Sequence, residues 1–420
     1  MKSTAALRIC DGSFDGGKNM LLKDKTVLLG VTGSIAAYKS ASLASALVKE
    51  GADVHVLMTK NAANFIAPMT FETLTHNKCL IDTFDRFFSY EVEHVSLGEK
   101  ADCMILAPAS ADVIAKLACG IADDMLTTTA LACTAPILVA PAMNTHMLEK
   151  KVTQENIARL EELGMKIIEP AVGRLACGTS GAGKMPEPEQ LLEEVLLCCS
   201  DEKLLAGRRV LVTAGPTQEA VDPVRFLSNH SSGKMGYAVA RAAARCGADV
   251  TLVSGPTALL DPVGVRTYRV ISAAEMAQKV FSEAPESDII IKAAAVADFC
   301  PAHPSDEKIK KSSPKASLDA IELTRTTDIL AALGAEKKAG QFLCGFSMET
   351  SDLLEHSREK LRAKNLDLLA ANSLRVDGAG FACDTNVLTL IAPDGERELP
   401  KMSKDEAARE LIHEIARRME

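Results

Sequence analysis

Two segments of this 420-residue chain carry residue types suited to binding phosphate groups. The first, Gly30-Val-Thr-Gly33-Ser34, follows a short apolar run and precedes a helical pattern. Backbone N–H groups in such a turn, the start of the helix and the Ser34 hydroxyl can hold a phosphate together. The motif is neither GxGxxG nor a Walker A loop, and the next strand ends in Met58-Thr59 without an acidic residue. These two features disfavour a standard NAD site.

The second segment, residues 222–236, is the densest polar motif of the chain. It reads Asp222-Pro-Val-Arg225-Phe-Leu-Ser228-Asn229-His230-Ser-Ser-Gly-Lys234-Met-Gly. It lies between an apolar run and a helical pattern, where a ligand phosphate would meet N–H groups at the helix start. A concentration of hydroxyls, an amide and Lys234 indicates a binding loop, and a flexible surface loop is the alternative.

Three single residues of the first half are candidates for chemistry. His94 precedes the apolar run 101–107, although a lone histidine is more often a core or surface residue than a base. Asn144 follows another apolar run, where a helix cap is the simpler interpretation. Cys177 lies in the glycine-rich loop 176–184, which makes it a better reactive thiol candidate than the other cysteines.

The second half carries charges near the ends of apolar runs. Asp298 follows the run 289–297. The cluster Glu307-Lys308-Ile-Lys310-Lys311 is typical of a solvated face, but beside Asp298 it could form a lid that brings ammonium groups to a triphosphate. Lys360 and Lys364 have the i, i+4 spacing of one helix face, which suits either the surface or phosphate contact.

The elements that must position these residues repeat in both halves. Each half opens with a strand, a glycine-bearing turn, a helix and a second strand, which predicts two doubly wound, mainly parallel-sheet α/β domains in tandem, Rossmann- or flavodoxin-like. We expect an N-terminal extension over 1–23, a first domain over 24–200 and a second over 201–420, with Met20 as an alternative start. Predicted strands are 26–31, 54–58, 103–107, 137–140, 165–168, 209–213, 250–254, 265–270, 289–292, 342–346 and 366–370.

Composition excludes several classes of partner. The formal net charge is −9, tryptophan is absent and aromatic residues make up 4% of the chain. These values disfavour nucleic acid and anionic membranes as partners. No apolar run reaches the roughly 18 residues of a membrane helix. The twelve cysteines include no CxxC pair, as expected for reduced thiols in a cytoplasmic protein.

The motifs of the first half together resemble the flavin-binding cysteine decarboxylases. The similarity covers about residues 24–190 and lies in His94–Asp102, Ala107–Asp112, Pro141–Asn144 and Ala-Cys177-Gly. It implies that His94 is a base, that Asn144 anchors the substrate carboxylate and that Cys177 donates a proton. It also implies trimers. The FMN contacts that it implies are Gly33, Ser34, Ile35, Thr59, Ser110 and Met143.

The second half, from about Arg208, resembles the bacterial, cytidylate-forming phosphopantothenate–cysteine ligases. The similarity implies CTP, 4'-phosphopantothenate and cysteine as substrates, Mg2+ bridging the phosphates, and dimerising domains. Asn229 would steady an acyl-cytidylate and Lys308 would neutralise charge. Thr326-Thr327 and Phe299-Cys300 stand where the family commonly has Asn-Pro and Tyr-Arg. The implied nucleotide contacts are Lys292, Ala293, Ala294, Asp298, Lys308, Thr326, Thr327, Asp328, Ile329, Phe346, Lys360 and Lys364.

The two resemblances fit one another, because the ligase product is the substrate of the decarboxylase. They predict a bifunctional enzyme of coenzyme A biosynthesis. An NAD(P)-linked oxidoreductase with duplicated dinucleotide domains is an alternative, which the missing glycine fingerprint disfavours. A non-catalytic FMN-binding regulatory protein is another, and the presence of His94, Asn144 and Cys177 speaks against it.

Overall fold

A computed structural model describes residues 20–83, 92–174, 178, 180–309, 320–349, 353–373 and 384–420. The chain divides into two compact units, one holding most of the residues up to Lys184 and the other most of those from Met185 onward. Each half of the chain forms one large sheet. Among the helices of these ranges, none combines the length and apolar character needed to cross a membrane.

The first sheet has five strands, and its central strands are buried on both faces. Every residue of β1 and β3 is buried, as expected for parallel strands covered by helices on both sides. β1 pairs in parallel with β2 and β3, and the strand order is β2-β1-β3-β4-β5. The prediction of these five strands is confirmed. They are β1 (Thr26–Val31), β2 (Asp53–Met58), β3 (Cys103–Ala109), β4 (Ile137–Pro141) and β5 (Lys166–Ile167).

The helices of the first half begin at identifiable caps. The Ser110 hydroxyl accepts a hydrogen bond from the N–H of Val113 and so caps α4, while Asp124 forms a capping box at α5. Between α7 and α8 lies a hairpin, β6 (Ala171–Arg174) and β7 (Ser180–Lys184). The helices are α1 (Ala37–Lys49), α2 (Pro68–Thr75), α3 (Glu93–Lys100), α4 (Ala111–Cys119), α5 (Met125–Ala132), α6 (Thr145–Leu148), α7 (Lys151–Glu162) and α8 (Pro188–Cys198), with a 3-10 turn at Ala62–Asn64.

The second sheet has eight strands. They are β8 (Arg209–Ala214), β11 (Asp249–Ser254), β12 (Val265–Arg269), β13 (Ile289–Lys292), β16 (Phe342–Glu349), β17 (Leu368–Ser373), β19 (Leu388–Ala392) and β20 (Gly395–Glu398). Their order is β12-β11-β8-β13-β16-β17-β19-β20. The six strands from β12 to β17 run parallel, and β19 and β20 extend the sheet antiparallel. The predicted doubly wound fold is confirmed, although the antiparallel extension was not predicted.

Helices cover the second sheet, and short strand pairs lie outside it. Successive side chains of β13 lie on opposite faces of the sheet, so Ile289 and Ile291 pack in one apolar cluster and Ile290 packs in another. Both faces of this strand are therefore buried. The helices are α9 (Lys234–Arg245), α10 (Ala273–Glu283), α11 (Ile329–Ala335), α12 (Leu353–Ala363) and α13 (Lys404–Met419), with a 3-10 turn at Ala284–Glu286. The strand pairs are β9 (Gln218–Ala220) with β10 (Phe226–Ser228), β14 (Phe299–Pro301) with β15 (Leu323–Arg325), and β18 (Thr385–Asn386) with β21 (Met402–Ser403).

Candidate functional site

The first candidate site lies at the carboxyl ends of β1 and β3, where the strand order reverses. Ligands of open α/β sheets bind at such a switch point. One buried threonine joins the two strand ends: the Thr32 hydroxyl donates to the Pro108 carbonyl (2.8 Å) and accepts from the Ser110 N–H (2.9 Å). Ser110 therefore lies beside the Gly33-Ser34 turn, as the resemblance implied.

The turn after β1 presents donors suited to an anionic group. Within the described residues, the N–H groups of Gly33 and Ile35 donate to no protein acceptor. The Ser34 hydroxyl accepts from the Ala36 N–H (3.4 Å) and keeps its own proton to donate. A side chain at Gly33 would lie 2.7 Å from Cβ of Asn61, so glycine permits the close approach of the two loops. This donor set fits the phosphate of a mononucleotide.

Two further predicted cofactor contacts lie at the ends of neighbouring strands. The Thr59 N–H donates to the Val31 carbonyl (3.1 Å), which holds the end of β2 against β1. The Met143 N–H donates to the Gly183 carbonyl (3.1 Å) of the β6–β7 hairpin. Parallel strands place both residues at the same edge of the sheet as Ser34 and Ser110.

Asn144 caps α6, because its Oδ1 accepts from the N–H of His146 at 2.9 Å. The simpler interpretation of this residue is therefore correct, and the cap fixes its side chain at the strand end. The Thr145 hydroxyl donates to the Ala182 carbonyl (2.8 Å), so this segment also holds the hairpin on whose connection Cys177 lies. Cys177 itself lies outside the described residues.

His94 occupies the first turn of α3 and is half-buried. The described part of the chain gives it no hydrogen-bond or ion-pair partner. α3 is held against α5 at Gly98, where an added side chain would lie 3.0 Å from the backbone of Ala132. No bond of the described residues brings His94 to Asn144, so its predicted role as a base stays a prediction.

The second candidate site is a cavity of about 390 Å³ beyond the carboxyl ends of β13 and β16. Its walls are joined by Thr326, whose N–H donates to the Asp298 carbonyl (3.0 Å) and whose hydroxyl donates to the Ala297 carbonyl (2.5 Å). The lining brings together nine of the twelve predicted nucleotide contacts. They are Lys292, Asp298, Thr326, Thr327, Asp328, Ile329, Phe346, Lys360 and Lys364.

The charges of this cavity favour an anionic ligand. Four cations, Lys292, Arg325, Lys360 and Lys364, face two carboxylates, Asp298 and Asp328. Asp328 caps α11 and pairs with Lys364 at 2.7 Å. Burial by itself would raise the pKa of the Asp328 carboxyl, but the Lys364 pairing, the hydrogen bond from the Ala331 N–H and the charge of Lys292 together lower it. Burial, reinforced by the positive charge of Lys364, lowers the pKa of Lys292 to about 8. A bound polyphosphate would supply the missing negative charge.

A second cavity adjoins the first at Phe346, which lines both. Its lining includes Ser231, Ser232 and Lys234 of the polar motif and the predicted contacts Ala293 and Ala294. Asn229 lies at the same edge, because its Nδ2 donates to the Ala295 carbonyl (3.0 Å). The second half therefore brings the predicted catalytic amide next to a cavity that shares Phe346 with the first.

Lys308 lines neither of these two cavities and is exposed. The neighbouring Ile309 is anchored by the buried Asp222, whose carboxylate accepts a hydrogen bond from the Ile309 N–H (3.1 Å) and forms an ion pair with Arg225. The Arg225 pairing holds the pKa of the Asp222 carboxyl well below its usual range. Residues 310–319, which follow, lie outside the described residues, so the predicted lid stays a prediction.

Sequence reasoning missed three residues. Thr32 joins two strand ends, and Arg325 adds a fourth cation to the first cavity of the second half. Asn372 is buried and lines the second cavity, and no described residue gives its Oδ1 a hydrogen-bond partner. Thr32 stood inside the glycine motif and could have been found there. Arg325 and Asn372 carry no local signal, since only strand pairing brings them to the cavities.

Comparison with known proteins gives two domain families. Residues 17–198 match the model "Flavoprotein" and residues 205–419 match "DNA/pantothenate metabolism flavoprotein C-terminal domain". Among groups of three or more His, Cys, Asp or Glu in the described ranges, none could hold a metal ion.

Full-length relatives carry both domains in the same order. The chain is 48% identical over 400 residues to the coenzyme A biosynthesis bifunctional protein CoaBC of Bacillus subtilis, covering 94% of this chain and 98% of the relative. Identity to the protein of the same name from Escherichia coli is 41% over 399 residues, covering 95% and 98%. A crystal structure of a CoaBC C-terminal domain is 42% identical, covers 52% of this chain and 98% of that chain, and has a TM-score of 0.44. The chain belongs to the family of bifunctional coenzyme A biosynthesis proteins, which join a flavoprotein decarboxylase domain to a ligase domain.

Proposed function

We propose that residues 201–420 join 4'-phosphopantothenate to cysteine at the expense of CTP, and that residues 24–200 decarboxylate the product with FMN to 4'-phosphopantetheine. The observation that carries this proposal is the convergence of nine predicted nucleotide contacts on one cationic cavity. Membership of the bifunctional family supports catalysis over the regulatory alternative.

In the decarboxylase half, the FMN phosphate would be held by Ser34 and by the N–H groups of Gly33 and Ile35, whose donor set suits it. Thr59, Ser110 and Met143 would contact the remainder of the cofactor from neighbouring strand ends. When bound, FMN supplies the reversible oxidation without which loss of CO2 beside a thiol-bearing carbon has no electron sink.

The residues of this half would then bind the substrate and move its protons. Asn144, whose Oδ1 caps α6, would anchor the substrate carboxylate. We assign His94 the role of base at the substrate and Cys177 the role of proton donor to the product carbon, from the hairpin held at Thr145.

In the ligase half, Lys292, Lys360 and Lys364 would neutralise the triphosphate while the substrate carboxylate attacks the α-phosphate. Pyrophosphate leaves, an acyl-cytidylate forms, and the cysteine amine then displaces CMP. Asn229 would steady the acyl-cytidylate from its place beside Ala295 of the second cavity. Lys308 would approach from its loop to balance developing charge. Mg2+ would be held through the nucleotide phosphates, as is usual for this ion.

We further propose that the protein works in the cytoplasm as a homo-oligomer, with a trimer-based decarboxylase core and dimerising ligase domains. The family resemblance supports the oligomer.

The decisive experiment is mass-resolved product analysis of the purified protein with 4'-phosphopantothenate, cysteine, Mg2+ and CTP, beside an ATP control. Phosphopantetheine formed with CTP supports both half-reactions. Accumulation of phosphopantothenoylcysteine alone would overturn the assignment of the flavin site. The absence of product from folded, FMN-loaded protein would overturn the bifunctional proposal and favour the regulatory alternative.

Variants separate the two half-reactions. Asn229→Ala and Lys308→Ala should each stop ligation and leave decarboxylation of supplied phosphopantothenoylcysteine intact. Cys177→Ser should release CO2 but stall before the saturated product. Full turnover by that variant would remove Cys177 from the mechanism.

A further inference from the structure

Lys292 is a half-buried lysine at the point where the second sheet reverses its strand order, and no described residue gives its ammonium group a hydrogen-bond or ion-pair partner. It ends β13, between Thr213 of β8 and Gly345 of β16. Because side chains of a strand alternate between the two faces, Lys292 lies on the same face of the sheet as Ile290. Ile290 belongs to the apolar cluster that packs on this face, next to the cavity. The ammonium group thus reaches the cavity through an apolar layer.

The groups around Lys292 do not neutralise it. Among the described residues, no hydrogen bond or ion pair joins its ammonium to a partner. Of the two carboxylates in the lining, Asp328 is taken up by Lys364, and Asp298 acts on Lys292 only at longer range. Lys364, Lys360 and Arg325 add positive charge on the facing elements. Desolvation and these neighbouring cations disfavour a positive charge on Lys292.

We propose that Lys292 takes up a proton as a polyphosphate binds, so that nucleotide binding in this chain is coupled to protonation of one lysine that lines the cavity among other cations. The proposal rests on the proposed nucleotide function and assigns Lys292 a role beyond contact. In the free protein the ammonium loses its proton readily, because it is desolvated and faces cations. In the complex the phosphate oxygens supply the counter-charge, and the amine is held as an ammonium group.

The coupling has a calculable size. We take a pKa of about 8 for Lys292 in the free protein and its ordinary value of 10.5 in the complex. The affinity for CTP–Mg2+ then falls roughly eightfold between pH 7.5 and pH 9. At pH 8.5, binding takes up about 0.7 proton per site. The terminal phosphate of CTP is already ionised over this range, so it contributes little to the change.

The test is isothermal titration calorimetry of the full-length protein with CTP–Mg2+ at pH 8.5, in two buffers that differ in ionisation enthalpy. The wild type should show proton uptake from the buffer. Lys292→Arg should keep tight binding at pH 9 without uptake, because arginine does not titrate there. Lys292→Met should bind weakly at both pH values, also without uptake. Lys279→Met, which removes a lysine paired with Glu283 outside the cavity lining, should behave as wild type.

The outcomes distinguish two failures. If the wild type binds CTP–Mg2+ with no proton uptake, or if Lys292→Met retains the uptake, the inference about Lys292 is wrong while the nucleotide site stands. If the folded wild type binds no nucleotide at any pH, the proposed ligase function fails with it. Should Lys292→Arg misfold by circular dichroism, the uptake measured for Lys292→Met decides the question alone.

Discussion

Replacing Lys292 by methionine should stabilise the second unit at pH 7. Methionine matches the length of the lysine stem and removes the ammonium group that burial and Lys364 disfavour. The pKa of Lys292 falls from its ordinary value of 10.5 to about 8 in the folded protein. At about 1.36 kcal/mol per pKa unit, the charged form therefore costs about 3 kcal/mol when the protein is folded. Because binding needs the same charge, the stabilised variant should lose affinity for nucleotide.

The stability gained by Lys292→Met should decrease as the pH rises. Between pH 8 and pH 10.5 the unfolded chain binds more protons at this residue than the folded chain does, so the penalty in the wild type fades as pH rises. The advantage of Lys292→Met should therefore be full at pH 7 and smaller at pH 9.5. At a urea dependence of about 2–3 kcal/mol per molar, the full effect raises the midpoint by about 1 M.

Cys344 provides a native reporter of this unit. It is fully buried in β16, beside Ile291 of β13, and becomes reactive when the sheet opens. Pulse labelling of thiols over a urea series, with the Cys344 peptide read by mass spectrometry, yields the midpoint for wild type and variant. Equal midpoints at pH 7 would refute the reasoning, and so would an advantage that is the same at pH 7 and pH 9.5. Lys279→Met is the control. The ion pair between Lys279 and Glu283 raises the pKa of this lysine, so removing the ammonium group should be neutral or destabilising.

Three further substitutions test the positioning of the sites. Thr32→Val should leave the Ser110 N–H and the Pro108 carbonyl without their hydrogen-bond partner, at a cost of about 1–3 kcal/mol of stability, and should lower the flavin content per chain. Thr32→Ser should retain both hydrogen bonds and the flavin content. Flavin absorbance and thermal melting measure the two effects, and an unchanged melting temperature in Thr32→Val would contradict this prediction. Asn144→Asp should keep the cap of α6 but repel the substrate carboxylate, so decarboxylation falls while ligation persists; equal loss of both activities would indicate misfolding instead. Gly334→Ala would place a methyl group 1.9 Å from the Lys364 carbonyl and should weaken CTP binding in titration calorimetry, whereas Gly395→Ala meets nothing within 4 Å and should bind normally.

Local sequence pattern was sufficient to predict most of the strands and the candidate binding motifs that lie within a single turn. Short apolar runs followed by glycine and helical spacing predicted all five strands of the first sheet and the six parallel strands of the second. Ser34 and Asn229 were predicted because strand-to-helix turns leave their donors at a sheet edge. The antiparallel β19 and β20 were not predicted, because such short runs have no distinctive pattern before their pairing is known.

Tertiary structure decided which of these residues act together and with what charge. Lys292 ends an ordinary-looking strand, and only the packing of α11 and α12 above it removes water and places Lys364 nearby. Arg325 and Asn372 reach their cavities through strand pairing across long stretches of chain. Residue types and local spacing were thus enough to indicate a phosphate-binding enzyme, whereas the proton affinity of Lys292 depends on desolvation by the folded chain, which no local sequence pattern contains.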